Sequence, residues 1–133
     1  MEELNEIGKE AFNKQDYKES IQYYSEAIKL NPNDHNLYHS RSIAYDKLSE
    51  FNDSLIDAEK TISLKKDWPN GYFIKGNALE NLKKYDEAIN TYIEGLRYDA
   101  NDESLINALK NVFISKDKFN NLMYMFKTKI NLI

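Results

Sequence analysis

The 133-residue sequence contains no cysteine, only two prolines and four glycines, and no long apolar run. The absence of cysteine excludes a disulfide framework, a thiol nucleophile and a thiolate metal site, and it fits an intracellular, cytoplasmic protein. The scarcity of proline and glycine argues against a collagen-like chain, a β-barrel or long linkers. No segment approaches the roughly 18 consecutive apolar residues that a membrane helix needs. The acidic start also lacks the basic and apolar regions of a signal peptide, so we expect no membrane association.

An excess of positive charge is missing as well. The formal net charge is −4 and the isoelectric point is about 5.2. A protein that binds nucleic acid or a membrane surface needs a basic face, so we expect no nucleic-acid partner. Hydrophobic residues make up 41% of the chain and charged residues 30%, which is typical of a soluble globular domain.

Signatures of catalysis and cofactor binding are also missing. The chain has no G-x-S-x-G, phosphate-loop or G-x-G-x-x-G motif, and its carboxylates are spread among lysines as on solvated helix faces. His35 and His39 stand four residues apart and could share a helix face, but a zinc site needs further ligands. We interpret them as solvated or groove-lining side chains. The sequence predicts a protein that is not an enzyme and that binds no metal or cofactor.

The pattern that is present is an internal repeat of 34 residues. Aromatic, small and apolar positions recur in three copies without gaps, as the sets Leu4/Tyr38/Tyr72, Gly8/Ser42/Gly76, Tyr17/Phe51/Tyr85 and Tyr24/Ala58/Tyr92. This period is typical of helix–turn–helix units that stack into a solenoid. We therefore predict an all-α, right-handed solenoid, in which the small Gly8 permits a close approach between helices.

The predicted repeats cover residues 1–34, 35–68 and 69–102, and a capping helix completes a domain over residues 1–115. Pro69 suits the first position of a helix, and Asp16 with Glu19 has the spacing of a capping box. Residues 116–133 read as an apolar C-terminal helix or tail, which we expect to fold onto the cap. Two alternatives remain: the chain is a fragment of a longer protein, or residues 119–133 dock into another copy and cause self-association.

The repeats resemble those of the tetratricopeptide repeat family over residues 1 to about 100. Within that family they are similar to the first repeat domain of the co-chaperones that organise Hsp70 and Hsp90. The resemblance lies mostly in scaffold residues, namely Tyr24–Leu30, Leu37-Tyr38, Arg41-Ser42, Lys66–Trp68, Gly71-Tyr72 and Tyr92–Leu96. It implies a protein–protein adaptor that grips an extended or C-terminal peptide of a heat-shock chaperone.

In that family, Lys, Arg and Asn side chains clamp the terminal carboxylates of a Glu-Glu-Val-Asp tail. The resemblance places the clamp at five positions of this chain where the family has Lys, Asn, Asn, Lys and Arg: Asn5, Lys9, Ser40, Asn70 and Ile74. At none of the five positions does this chain have the residue that the family has. Each lost charge-assisted hydrogen bond is worth roughly 1.5–3 kcal/mol, so we expect weaker binding of an acidic tail.

The first helix of each pair lines the concave side of a solenoid. The predicted peptide-binding groove therefore comprises Asn5, Lys9, Phe12, Ser40, Ile43, Asn70, Phe73, Ile74 and Asn77. Besides the chaperone adaptor, two interpretations stay open. The degenerate clamp could bind a different, more apolar partner, or the chain could be the regulatory repeat module of a larger enzyme.

Overall fold

The computed structural model describes residues 2–131, and these residues form seven α-helices and no strand. The first six helices pack as three consecutive pairs, and each pair also contacts the next along the chain. The predicted all-α solenoid of three helix pairs with a capping helix is confirmed. The helices are α1 (Glu2–Asn13), α2 (Tyr17–Leu30), α3 (His35–Lys47), α4 (Phe51–Leu64), α5 (Pro69–Asn81), α6 (Tyr85–Leu96) and α7 (Glu103–Asn131).

Local signals decide where several helices begin. Pro69 is the first residue of α5, as predicted, because a proline at this position forfeits no helical hydrogen bond. Asp34 caps α3 by accepting a hydrogen bond from the Asn36 N–H at 3.0 Å. The predicted capping box at α2 is wrong, because the Asp16 side chain makes no capping hydrogen bond there.

The turn inside each helix pair places one residue in the left-handed region. Gln15, Ser49 and Lys83 have φ angles of 65°, 58° and 65°, and they recur at the 34-residue spacing. In the first turn the Asp16 N–H donates to the Ala11 carbonyl at 2.8 Å, and the other two turns contain the same bond. These bonds satisfy carbonyl groups at the end of the first helix in each pair.

Two of the three pairs depend on a glycine that faces a tyrosine ring. A Cβ atom on Gly8 would lie 2.7 Å from Cε1 of Tyr24, and one on Gly76 would overlap the ring of Tyr92. Both rings are buried. The close approach predicted at Gly8 is therefore confirmed, and it explains why a residue of poor helix propensity occupies the middle of the helix.

In the second helix pair, polar contacts join α3 to α4. The Ser42 hydroxyl donates to the Ser54 carbonyl at 2.8 Å in the buried space between α3 and α4. The Arg41 guanidinium forms two hydrogen bonds with the Asp57 carboxylate, at 2.7 and 2.8 Å, and a third with the Ser25 hydroxyl at 3.0 Å. Because these residues belong to α2, α3 and α4, the arginine ties the first repeat to the second.

Tyrosines on the first helices of the second and third repeats tie each to the repeat before it. The Tyr38 hydroxyl donates to the Pro32 carbonyl at 2.8 Å, and the Tyr72 hydroxyl donates to the Lys66 carbonyl at 2.6 Å. Donors and acceptors are both separated by 34 residues. The loops between repeats are thus held by one repeated hydrogen bond.

The C-terminal region departs from the sequence prediction. α7 is one continuous helix of 29 residues, so the expectation of a last helix folded back onto the cap is wrong. Its first part packs on α6 and α5, whereas residues 120–129 are all exposed. Within residues 2–131, no helix combines the length and apolar character required to cross a membrane. Met1, Leu132 and Ile133, which the predicted repeats and tail include, lie outside the described residues.

Replacing Gly76 with alanine should lower the free energy of unfolding by about 1–3 kcal/mol, as overpacking does. The Tyr92 ring has little room to move away, because it is fully buried and its hydroxyl donates to Asn77 at 2.7 Å. Urea unfolding followed by circular dichroism measures the change. Gly71→Ala is the matched control, since it adds the same methyl group to α5 but its nearest neighbour, Cγ1 of Ile62, lies 3.0 Å away and no atom overlaps it. Equal stability of the two variants would contradict the packing role of Gly76.

Candidate peptide-binding groove

A cleft of about 360 Å³ opens between α3 and α5 and reaches the start of α7. A second cavity of about 340 Å³ adjoins it along α5 and α7, and Phe73, Asn77 and Ser104 line both. The two cavities together form one groove on the side of the solenoid to which the first helices contribute. We call this surface the α3–α5 groove.

The middle of the α3–α5 groove is apolar. Ile43 and Phe73 are half-buried, and Ile74 is buried with 6% of its surface exposed. Phe73 also packs against the core formed by the third repeat and α7. The position that the resemblance assigns to the clamp arginine thus holds a side chain that is part of the protein interior and can offer a ligand only apolar contact.

Polar groups surround this apolar centre. The Asn70 residue is exposed and its side chain forms no hydrogen bond in the described structure, whereas the Asn77 Oδ1 already accepts from the Tyr92 hydroxyl. The Asp46 carboxylate accepts a hydrogen bond from the Asn81 amide at 3.0 Å, and burial raises its pKa. Glu80 lies in the same groove and accepts from Tyr92 at 3.3 Å.

The charges of this groove do not suit an acidic ligand. Among the lining residues, Lys47 supplies a positive charge and Asp46 and Glu80 supply two negative charges. A site that binds carboxylates needs an excess of cationic donors. The α3–α5 groove therefore favours apolar contact over charge-assisted recognition of a carboxylate.

The two histidines pack on the single tryptophan. The ring centroids of His35 and His39 lie 5.0 and 4.7 Å from that of Trp68, and His39 also lines the α3–α5 groove. Among residues 2–131, no group of three metal-ligating side chains surrounds them. Burial, together with the nearby His35, lowers the pKa of His39 to about 4, so its ring is neutral at pH 7.

The nine sequence-predicted groove residues divide into two sets. The structure brings five of them together in the α3–α5 groove: Ile43, Asn70, Phe73, Ile74 and Asn77. The other four do not line it: Asn5, Lys9, Phe12 and Ser40.

The residues of α1 have other surroundings. The Lys9 ammonium lies 3.6 Å from the Glu6 carboxylate on an exposed face. Phe12 packs edge-on against Tyr17 with ring centroids 5.2 Å apart. Asn5 is half-buried, and its Oδ1 is buried without a hydrogen-bond partner in the described structure. The clamp positions are thus split, with Asn70 and Ile74 inside the groove and Asn5, Lys9 and Ser40 outside it.

Sequence reasoning missed several lining residues. Asp46 and Lys47 follow Ile43 by three and four positions, and Glu80 follows Asn77 by three, whereas the sequence already predicts a solvated or groove-lining side chain at His39. Residues at these spacings share a helix face, so the helical period alone could have found them. The contribution of α7, through Ser104, Asn107, Ala108 and Asn111, depends on how the capping helix packs and carried no sequence signal.

Models of the tetratricopeptide repeat match residues 2–34 and 69–102, about half of the chain. The chain belongs to the tetratricopeptide repeat family. This fold is a non-enzymatic protein-interaction fold, and the family resemblance predicted from the 34-residue period is confirmed.

The similar curated proteins are co-chaperones. The chain is 44% identical over 109 residues to the Hsp70-Hsp90 organising protein of Plasmodium falciparum, covering 82% of this chain and 43% of that protein. It is 45% identical over 111 residues to the heat shock protein sti1 homolog of Schizosaccharomyces pombe, covering 84% and 19%. The chain thus spans less than half the length of either relative.

Similar solved structures include domains in complex with chaperone peptides. The first tetratricopeptide domain of Spaghetti (RPAP3), bound to the Hsp90 peptide SRMEEVD, matches with a TM-score of 0.80 and 26% identity, covering 84% of this chain and 89% of that one. The TPR2B domain of yeast Sti1, in complex with an Hsp70 peptide, matches with a TM-score of 0.79 and 28% identity, covering 88% and 95%.

Acidification should destabilise the fold through His39. Its pKa is about 4 in the folded chain and about 6.5 when unfolded, so the unfolded state takes up the proton first as the pH falls. The contribution is constant above pH 6.5 and is lost progressively between pH 6.5 and 4. Between pH 7 and 5, the unfolding free energy should fall by about 1–2 kcal/mol more in the wild type than in His39→Gln, allowing for partial exposure of the ring.

Urea unfolding at several pH values measures this difference. Because the carboxylates are the same in both chains, their titration cancels in the comparison. Parallel pH profiles of the two chains would show that His39 titrates normally in the folded state.

Proposed function

We propose that this chain is the chaperone-binding module of a co-chaperone adaptor, which holds an extended or C-terminal peptide of a heat-shock chaperone in the α3–α5 groove. The observation that carries the proposal is the match over 84% of the chain to a repeat domain solved with an Hsp90 peptide. The 44% identity to an Hsp70-Hsp90 organising protein supports the same class of partner. No catalytic role is part of the proposal, and the cytoplasmic location expected from the sequence stays a prediction.

A second candidate ligand is a more apolar segment of the partner. The apolar centre of the groove, formed by Ile43, Phe73 and Ile74, favours it. An apolar side chain inserted there gains about 25 cal/mol for each Å² removed from water. This term replaces part of the energy that the cationic clamp supplies in the family.

Restoring a cation at a clamp position should strengthen binding of an acidic tail. Asn70 is exposed and lines the groove, so Asn70→Lys should be tolerated by the fold. We expect the variant to bind the peptide SRMEEVD at least tenfold more tightly than the wild type, because a hydrogen bond to a charged group is worth about 1.5–3 kcal/mol. Titration calorimetry measures both affinities.

The control variant is Asn90→Lys, which adds the same charge at an exposed position of α6 that does not line the groove. Amidation of the peptide C-terminus should remove the gain of Asn70→Lys. Equal affinities of the two variants would rule out carboxylate recognition at this position.

Truncation of Phe73 tests whether any peptide uses the apolar centre. Phe73→Ala should weaken binding of SRMEEVD or of the Hsp70 peptide SGPTIEEVD by tenfold or more, because it removes contact area in both cavities. Phe113→Ala is the matched control, since that ring is 48% exposed on α7 and does not line the groove. Unchanged affinity in a Phe73→Ala protein of wild-type helicity would place the binding site elsewhere.

A further inference from the structure

The second half of α7 carries a bare apolar stripe. In the first half, one helix face is buried against the third repeat through Leu105, Ala108 and Val112. Phe119 continues this face at helical spacing and still touches Tyr85, with ring centroids 5.5 Å apart. Beyond it the same face continues as a run of exposed side chains: Leu122, Met123 and Phe126.

The stripe is exposed because α7 extends beyond α5 and α6, the helices that pack against its first part. Residues 120–129 are exposed without interruption, which corresponds to about 15 Å of helix at 1.5 Å per residue. Leu122 is 60% exposed and Phe126 is 63% exposed. Spacings of i, i+3, i+4 and i+7 are those with which an amphipathic helix enters an apolar groove.

The charge of the chain is divided unevenly. Residues 118–129 contain three lysines and no acidic residue, for a net charge of +3, which leaves −7 on the rest of a chain whose total is −4. The exposed apolar segment is thus basic, and the solenoid body is acidic. Lysines flank the stripe on both sides, at positions 118, 127 and 129, whereas Lys116 is paired with Asp86 of its own chain at 2.6 Å.

The α3–α5 groove is complementary to this segment. Its centre is apolar through Ile43, Phe73 and Ile74, and the lining carboxylates of Asp46 and Glu80 outnumber the single lysine. The two surfaces are thus complementary in both respects. The apolar stripe of α7 matches the apolar centre of the groove, and the lysines beside the stripe match the carboxylates that line the groove.

We propose that residues 120–129 of one copy dock as a helix into the α3–α5 groove of a second copy. Leu122, Met123 and Phe126 insert between α3 and α5, and the flanking lysines face the carboxylates of the groove. Docking onto a second tail would instead bring two segments of charge +3 together, which is unfavourable. The proposal rests on the groove of the proposed function, and it makes the tail a competitor of the chaperone peptide.

Light scattering on the full chain tests the association. The wild type should exceed its monomer mass of 15.7 kDa as concentration rises, reaching at least twice that value. Leu122→Glu with Phe126→Glu, the tail variant, should stay monomeric. Tyr124→Glu adds charge at a 72% exposed position off the stripe and should associate like the wild type.

A variant of the groove separates tail-in-groove docking from pairing of two tails. Ser104 is exposed and lines both cavities, so Ser104→Arg should block and repel the tail without disturbing the core. Ser63→Arg, at an exposed position of α4 outside the groove, is its control. The Ser104→Arg groove variant should be monomeric, and the Ser63→Arg protein should associate.

Mixing the two defective proteins gives the decisive result. The groove variant has an intact tail and the tail variant has an intact groove, so the mixture should form a one-to-one complex that neither protein forms with itself. A groove variant that still associates, or a mixture that stays monomeric while the wild type associates, would overturn the proposal. A wild type that stays monomeric at all concentrations would overturn it as well.

Peptide titration of the tail variant keeps this proposal distinct from the proposed function. If SRMEEVD binds the tail variant and the wild type is monomeric, tail docking fails and peptide binding stands. If the mixture forms its complex and neither SRMEEVD nor SGPTIEEVD binds the tail variant, tail docking stands and the chaperone-peptide function fails. If both the tail docking and the chaperone-peptide function hold, the tail variant should bind the peptide more tightly than the wild type, because no tail competes for its groove.

Discussion

The solenoid depends on a close approach of the two helices within each pair, which only a small residue at the crossing permits. Gly8 and Gly76 leave space for the rings of Tyr24 and Tyr92. The middle pair has Ala58 at the tyrosine position, and there the Ser42 hydroxyl donates to Ser54. Because interiors are close-packed, the helix spacing set at these crossings fixes where the first helices lie and therefore the width of the groove between them.

The fold could be predicted because its determinants recur. Each packing position appears three times at the same spacing, so a substitution such as Tyr24 to Ala58 in the second copy does not hide the pattern. The turns were harder to predict from the sequence. A residue in the left-handed region is usually glycine, whereas these turns place Gln15, Ser49 and Lys83 there. The course of α7 was mispredicted because an apolar stripe predicts burial, whereas no element of the described chain reaches far enough to cover it.

The candidate site could be predicted only in part, and the reason is physical. Helical spacing identifies which residues share a face, and Ile43, Phe73 and Asn77 do line the cleft between α3 and α5. It does not say where along that face the surface is concave. Phe12 fills the end of its own pair by packing on Tyr17, so a residue on the correct face contributes to packing instead of to the cleft.

Ile74 connects the scaffold to the chemistry of the groove. The resemblance assigns an arginine of the clamp to this position, yet Ile74 is 6% exposed and lies on the floor of the cleft. A cation there would have to keep its charge in water, since burying an unpaired charge is very costly, whereas isoleucine contributes to packing and apolar contact at once. The substitution therefore changes what the groove can recognise. If the groove holds the proposed peptide, binding depends less on charge-assisted hydrogen bonds, which salt weakens at an exposed site, and more on burial of apolar surface, which depends on the shape of the ligand.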